Sequence, residues 1–75
     1  MSPSLPVVSG ARVMAALRLA GFDHVSTKGS HAKLRNEGGR TVVVPLHDEL
    51  AKGTLSSILK QASLTTADLL ALLRS

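Results

Sequence analysis

The chain has no cysteine and a single aromatic residue, Phe22, among its 75 residues. The first absence excludes a disulfide framework or a thiolate metal site, so a domain of this size has to be held together by packing. The second leaves no row of rings for stacking unpaired bases, which argues against an RRM-like or OB-like reader of single strands. No apolar run approaches the roughly 18 to 20 residues that cross a bilayer. The opening "MSPSLPVVSG" also lacks a basic start followed by a long apolar stretch, so a soluble cytoplasmic protein is expected. Acidic residues are scarce: five Asp and Glu stand against nine Lys and Arg, for a formal charge of +4. A small basic domain suits a polyanionic partner. Between His24 and Pro45 the basic residues are Lys28, Lys33, Arg35 and Arg40, and Glu37 is the only acid.

Pro3 and Pro6 disfavour helix, so residues 1–8 read as a flexible leader and residues 9–75 as one domain. Ser9 can cap a helix whose apolar positions Val13, Ala16, Leu17 and Ala20 follow helical spacing, with Gly21 suited to a left-handed end. Three strands follow, in "FDHVSTK", "HAKLR" and "RTVVVP". A second helix carries Leu55, Ile58, Leu59 and Ala62, with Gly53 or Thr54 as its cap. Thr65 and Asp68 approximate a capping box ahead of Leu69, Leu70, Leu72 and Leu73. The order predicts a two-layer α+β domain: helix, three-stranded antiparallel sheet, helix, short C-terminal helix.

Gly29-Ser30 is a two-residue loop of the Gly-X kind, which fixes a hairpin register. Lys28 then lies opposite His31, Ser26 opposite Lys33 and His24 opposite Arg35, all on one polar face. Val25, Thr27, Ala32 and Leu34 are expected on the face that meets the helices. The third strand is ambiguous. A four-residue "NEGG" loop pairs Arg35 with Arg40 and Lys33 with Val42, leaving Val42 and Val44 outside and Val43 in the core. Either a bulge corrects this register, or exposed valines adjoin the basic groups and offer a protein-binding patch. Phe22 is expected to pack at the helix-to-strand junction.

His31 is the leading candidate for chemistry, with an ordinary polar surface residue as the bland alternative. Imidazole is the side chain whose usual pKa, about 6.5, allows proton exchange near neutrality. Lys28, Lys33 and Arg35 around it supply phosphate-binding charge, and the Ser30 hydroxyl and nearby amides can add hydrogen bonds. RNA scission needs little more, because the ribose 2′-hydroxyl is an internal nucleophile that has only to be deprotonated, oriented and matched by charge stabilisation. That route uses no metal or other cofactor, and the three histidines have no short ligand spacing. A second proton-transfer group is not evident. His24, about two pair positions from the turn, and His47, before Asp48 and Glu49, are weaker candidates.

The run "GARVMAALRLAGFDHVSTKGSHAKLRNEGGRTVVVPLHDELAKGTLSSILKQASLTTADLLALL", nearly the whole chain, resembles the HicA toxin family of HicA-HicB toxin-antitoxin systems. The resemblance is carried by Gly21-Phe22, by Lys28-Gly29-Ser30-His31, by Val44 and Pro45 with His47, and by the Gly53 to Leu55 helix start. It implies a double-stranded-RNA-binding-domain-like fold and a ribosome-independent mRNA endoribonuclease with one catalytic histidine, matched here by His31. It implies as well a HicB-like antitoxin that covers the active face; any reading of operator DNA would fall to that partner. Ala32 stands where many members have a second histidine, Ser56 where a basic residue is common and Ser63 at a frequent glycine. A noncatalytic RNA-binding module and an interaction subunit are the competing functional readings.

Overall fold

A computed structural model describes residues 4–75. Its elements run α1 (Gly10–Leu19), β1 (Asp23–Lys28), β2 (His31–Arg35), β3 (Thr41–Pro45), α2 (Lys52–Ala62) and α3 (Thr66–Leu73). This is the expected α+β order, consistent with a double-stranded-RNA-binding-domain-like fold. The leader expected over residues 1–8 begins outside the described residues. Within it, Val8 is buried and its carbonyl accepts the Leu50 N–H at 2.9 Å.

Local rules account for α1. The Ser9 hydroxyl accepts the Arg12 N–H at 3.1 Å, satisfying one of the donors that a helix start leaves free. At the far end Gly21 adopts φ 97°, and its N–H bonds to the Arg18 carbonyl while that of Phe22 bonds to Leu17. This left-handed stop turns Phe22 inward, where it is 3% exposed. The helix ends and the strand begins around that one ring.

The sheet has the order β1-β2-β3, both pairs antiparallel. Gly29 alone carries positive φ in the first turn, at 59°, as a Gly-X hairpin requires. The expected pairs Lys28 with His31, Thr27 with Ala32 and Ser26 with Lys33 all form. Beyond them the register slips between His24 and Ser26, so His24 pairs with Leu34 and Asp23 with Arg35. The expectation that Val25 and Thr27 pack under the helices is corrected: every residue of β1 is exposed, Val25 by 52%. Ala32 and Leu34 of β2 and Val42 and Val44 of β3 are buried beneath the helices, whereas β1 is an edge strand that α1 touches without burying any of its residues.

The second hairpin settles the ambiguous register. Its loop is three residues, Glu37 to Gly39, because Asn36 and Arg40 pair across it: the Asn36 N–H donates to the Arg40 carbonyl at 3.1 Å. Gly39, at φ 83°, donates to the Asn36 carbonyl and makes the turn. One residue fewer in the loop reverses the parity of β3. Val42 and Val44 are therefore fully buried and Val43 is 39% exposed, opposite to the four-residue-loop expectation. The outer edge of β3 is covered by α2, whose Gln61 accepts the Val43 N–H through Oε1 and receives the Arg40 guanidinium at its carbonyl.

The buried faces of α1 and α2 meet that sheet with Val13, Ala16, Leu17, Leu55, Ile58, Leu59 and Ala62. The expected cap of α2, Gly53 or Thr54, is corrected to Ala51, which makes no side-chain capping bond. Tertiary anchoring replaces the cap, since the preceding Leu50 is buried and bonded to Val8. In α3 the capping box is complete: Thr65 Oγ1 accepts the Asp68 N–H and Asp68 Oδ2 accepts that of Thr65. Leu69 enters the core, and Arg12 on α1 donates to the Leu73 carbonyl. Among the described residues no helix is long and apolar enough to cross a membrane.

Candidate nucleic-acid interface

With the helices on one side, the other side of the sheet is open. Period-two alternation puts His31, Lys33 and Arg35 of the central strand on it, each exposed, between buried Ala32 and Leu34. At a rise of about 3.3 Å per residue, this row extends over about 13 Å. Lys28 flanks His31 from β1, and Ser26 flanks Lys33. From β3, Pro45 lies beside His31, Val43 beside Lys33 and Thr41 beside Arg35. The Arg35 side chain is steadied by a bond from Nε to Thr41 Oγ1 at 3.4 Å. Ser30 stands at the turn, its carbonyl accepting the Leu46 N–H at 2.6 Å.

The five residues expected from sequence to form the site thus share the turn and the open face. Of the two weaker sequence candidates, His24 falls away from it. His24 follows Leu34 to the helix-facing side of the sheet, where its Nε2 is 2.7 Å from Thr27 Oγ1 and 3.1 Å from the Ser26 carbonyl. The bulge causes that displacement. Arg40 is drawn to Gln61.

His47 moves the other way, into the site. Its ring centre is 6.4 Å from that of His31 and the two planes meet at 72°. The segment holding it is fixed from below by α1, because the Gly10 N–H donates to the His47 carbonyl at 2.9 Å. Gly10 has to be glycine there: a β-carbon would fall on the Pro45 carbonyl oxygen. The signal in the sequence was the histidine two residues after Pro45, hidden by the unresolved register of β3. A separate concavity lined by Ala15, Arg18, Leu19, Phe22 and Asp23 opens beside the start of β1, the opposite end of that strand from Lys28.

Chemically, the open face combines three cationic side chains with two exposed imidazoles and an apolar patch at Val43. Cations in a row hold a phosphate backbone by position and charge without reading bases. Imidazole adds proton transfer.

Comparison with protein families matches residues 10–64 to the one described as "HicA toxin of bacterial toxin-antitoxin". Among solved structures, one described as a toxin-antitoxin complex from Streptococcus pneumoniae aligns with a TM-score of 0.67 and 34% sequence identity, covering 76% of this chain and 98% of that one. Comparison with curated proteins gives no significant match.

Proposed function

The chain belongs to the HicA toxin family of bacterial toxin-antitoxin systems, and on that premise we propose that it is a cytoplasmic endoribonuclease that cleaves mRNA. The observation that carries this reading is His31 at the head of an exposed cationic row, directly opposite Lys28. Lys28, Lys33 and Arg35 hold the RNA backbone, and Ser30 contributes its hydroxyl and the turn amides to phosphate. His31 removes the proton of the ribose 2′-hydroxyl, a role worth roughly 10²- to 10⁴-fold in rate. The hydroxyl then attacks the adjacent phosphorus, and the ammonium groups stabilise the crowded intermediate charge. The internal nucleophile makes a metal ion unnecessary on this route.

A HicB-like antitoxin would silence the enzyme by covering the open face. The similar structure is a toxin-antitoxin complex, and Val43 among the cations offers an apolar contact that RNA does not need. The cationic row serves a noncatalytic RNA-binding module equally well, so the test must be chemical. Purified protein is incubated with RNA in excess chelator, beside His31→Ala. The expected outcome is cleavage by the wild type only, with binding retained by both. Intact RNA after prolonged incubation with the wild type would establish the binding module instead.

A further inference from the structure

Scission by the 2′-hydroxyl transfers two protons, and His31 handles one of them. The attacking oxygen loses a proton as the O2′–P bond forms, and the leaving 5′-oxygen must gain one as the P–O5′ bond breaks. Without the second transfer the leaving group is an alkoxide, which departs slowly. Lys28, Lys33 and Arg35 are occupied with the phosphate charge, which leaves the two weaker sequence candidates, His24 and His47, for that proton.

The geometry points to His47 as the general acid. This rests on the reading of the chain as a ribonuclease. His47 and His31 are both exposed on the same side, with ring centres 6.4 Å apart and planes at 72°. Rings at that spacing and angle are not stacked, so each can meet one apical oxygen of a phosphorane lying over the gap. Among the described residues neither ring has a hydrogen-bond partner, whereas that of His24 is engaged by Thr27 and Ser26. Two elements distant in sequence fix the pair. The β2–β3 register places Pro45 against His31, and the start of α1 grips the His47 carbonyl through Gly10. The charged groups around them are Lys28 from β1 and Lys33 from β2 on the His31 side, and Asp48 and Glu49 following His47 in the loop.

Neutral His31 takes the proton from the 2′-hydroxyl while protonated His47 gives one to O5′. The products are a 2′,3′-cyclic phosphate and a 5′-hydroxyl. The two imidazoles leave the step with exchanged protonation states, and solvent resets them.

The experiment uses the purified chain and an RNA oligonucleotide in two forms, one natural and one with sulfur replacing the 5′-bridging oxygen at the scissile bond. A thiolate departs without a proton, so the sulfur substrate does not need the acid. His47→Ala and His47→Gln are expected to cleave natural RNA 10²- to 10⁴-fold more slowly than the wild type, yet to cleave the sulfur substrate within about tenfold of it. His31→Ala stays slow on both, and His24→Ala serves as an unaffected control. The descending high-pH limb of the wild-type kcat/KM profile should also vanish in the His47 variants. A His47 variant slow on both substrates has lost positioning rather than an acid, and that result overturns the proposal; so does one that cleaves natural RNA at the wild-type rate. Failure of the wild type to cleave either substrate sinks the ribonuclease reading itself.

Discussion

Asn36 and Arg40 close the second hairpin twice over: the Arg40 N–H reaches the Asn36 side-chain oxygen at 2.9 Å, and the Asn36 N–H reaches the Arg40 carbonyl. That closure decides which valines are buried and which residue of β3 faces His31. The candidate site therefore depends on a turn at the opposite end of the sheet.

Gly39 is the residue on which the turn depends, because φ 83° carries a steric cost for any residue with a β-carbon. Gly39→Ala is expected to lower stability by about 1–2 kcal/mol. For a domain of this length the loss would appear as a fall of roughly 4–8 °C in Tm per kcal/mol, measurable by thermal denaturation.

Gly10→Ala should be worse for the site than for the fold. The new methyl group collides with the Pro45 carbonyl, and relief requires moving either α1 or the segment that carries His47. Overpacking of this kind costs about 1–3 kcal/mol. Urea denaturation would read the stability, and the imidazole proton resonances would show His31 and His47 leaving their mutual environment.

Ser63 closes α2 in the left-handed region, at φ 59°, a conformation that favours glycine. The backbone there makes the same pair of bonds as at Gly21, from Ser63 to Lys60 and from Leu64 to Leu59. Ser63→Gly relieves the strain and should raise stability by up to about 1 kcal/mol, with RNA cleavage unchanged.

Among the described residues the exposed Lys33 side chain makes no hydrogen bond or ion pair, so its loss should act on binding alone. Lys33→Ala is expected to weaken RNA affinity and to reduce the slope of log K against log salt by about 0.7, the value for one phosphate contact on a single strand. An unaltered slope would remove Lys33 from the interface.

The capping box gives α3 an acid-sensitive start. Hydrogen bonding from the Thr65 backbone, and secondarily from its side chain, holds the Asp68 carboxyl below the ordinary carboxylate range. A depressed pKa in the folded state stabilises above the unfolded value, about 3.9, and the contribution disappears as pH falls through the folded one. Asp68→Asn should accordingly unfold with a shallower dependence on pH below about 4, followed by circular dichroism.

Much of the site was legible because its rules are local. A two-residue Gly-X loop specifies its own register, so Lys28 and His31 could be paired from four residues, and alternation carried Lys33 and Arg35 onto the same face. Ser9, Gly21 and the Thr65 capping box were readable for the same reason, each being a bond within one helical turn. Where a position depends on several elements, local spacing was insufficient. The bulge in β1 turned His24 off the open face, and the extent of the helical layer left Val25 uncovered.

The sequence by itself determined the order of elements, the apolar stripes of the helices and the cationic hairpin that presents His31. Tertiary structure alone decided the parity of β3 and the approach of His47, since these follow from a side-chain closure at Asn36 and from α1 docking its first residue against Pro45. Short-range hydrogen bonds are written in neighbouring residues. The meeting of two rings sixteen positions apart exists only once the sheet and helix have packed.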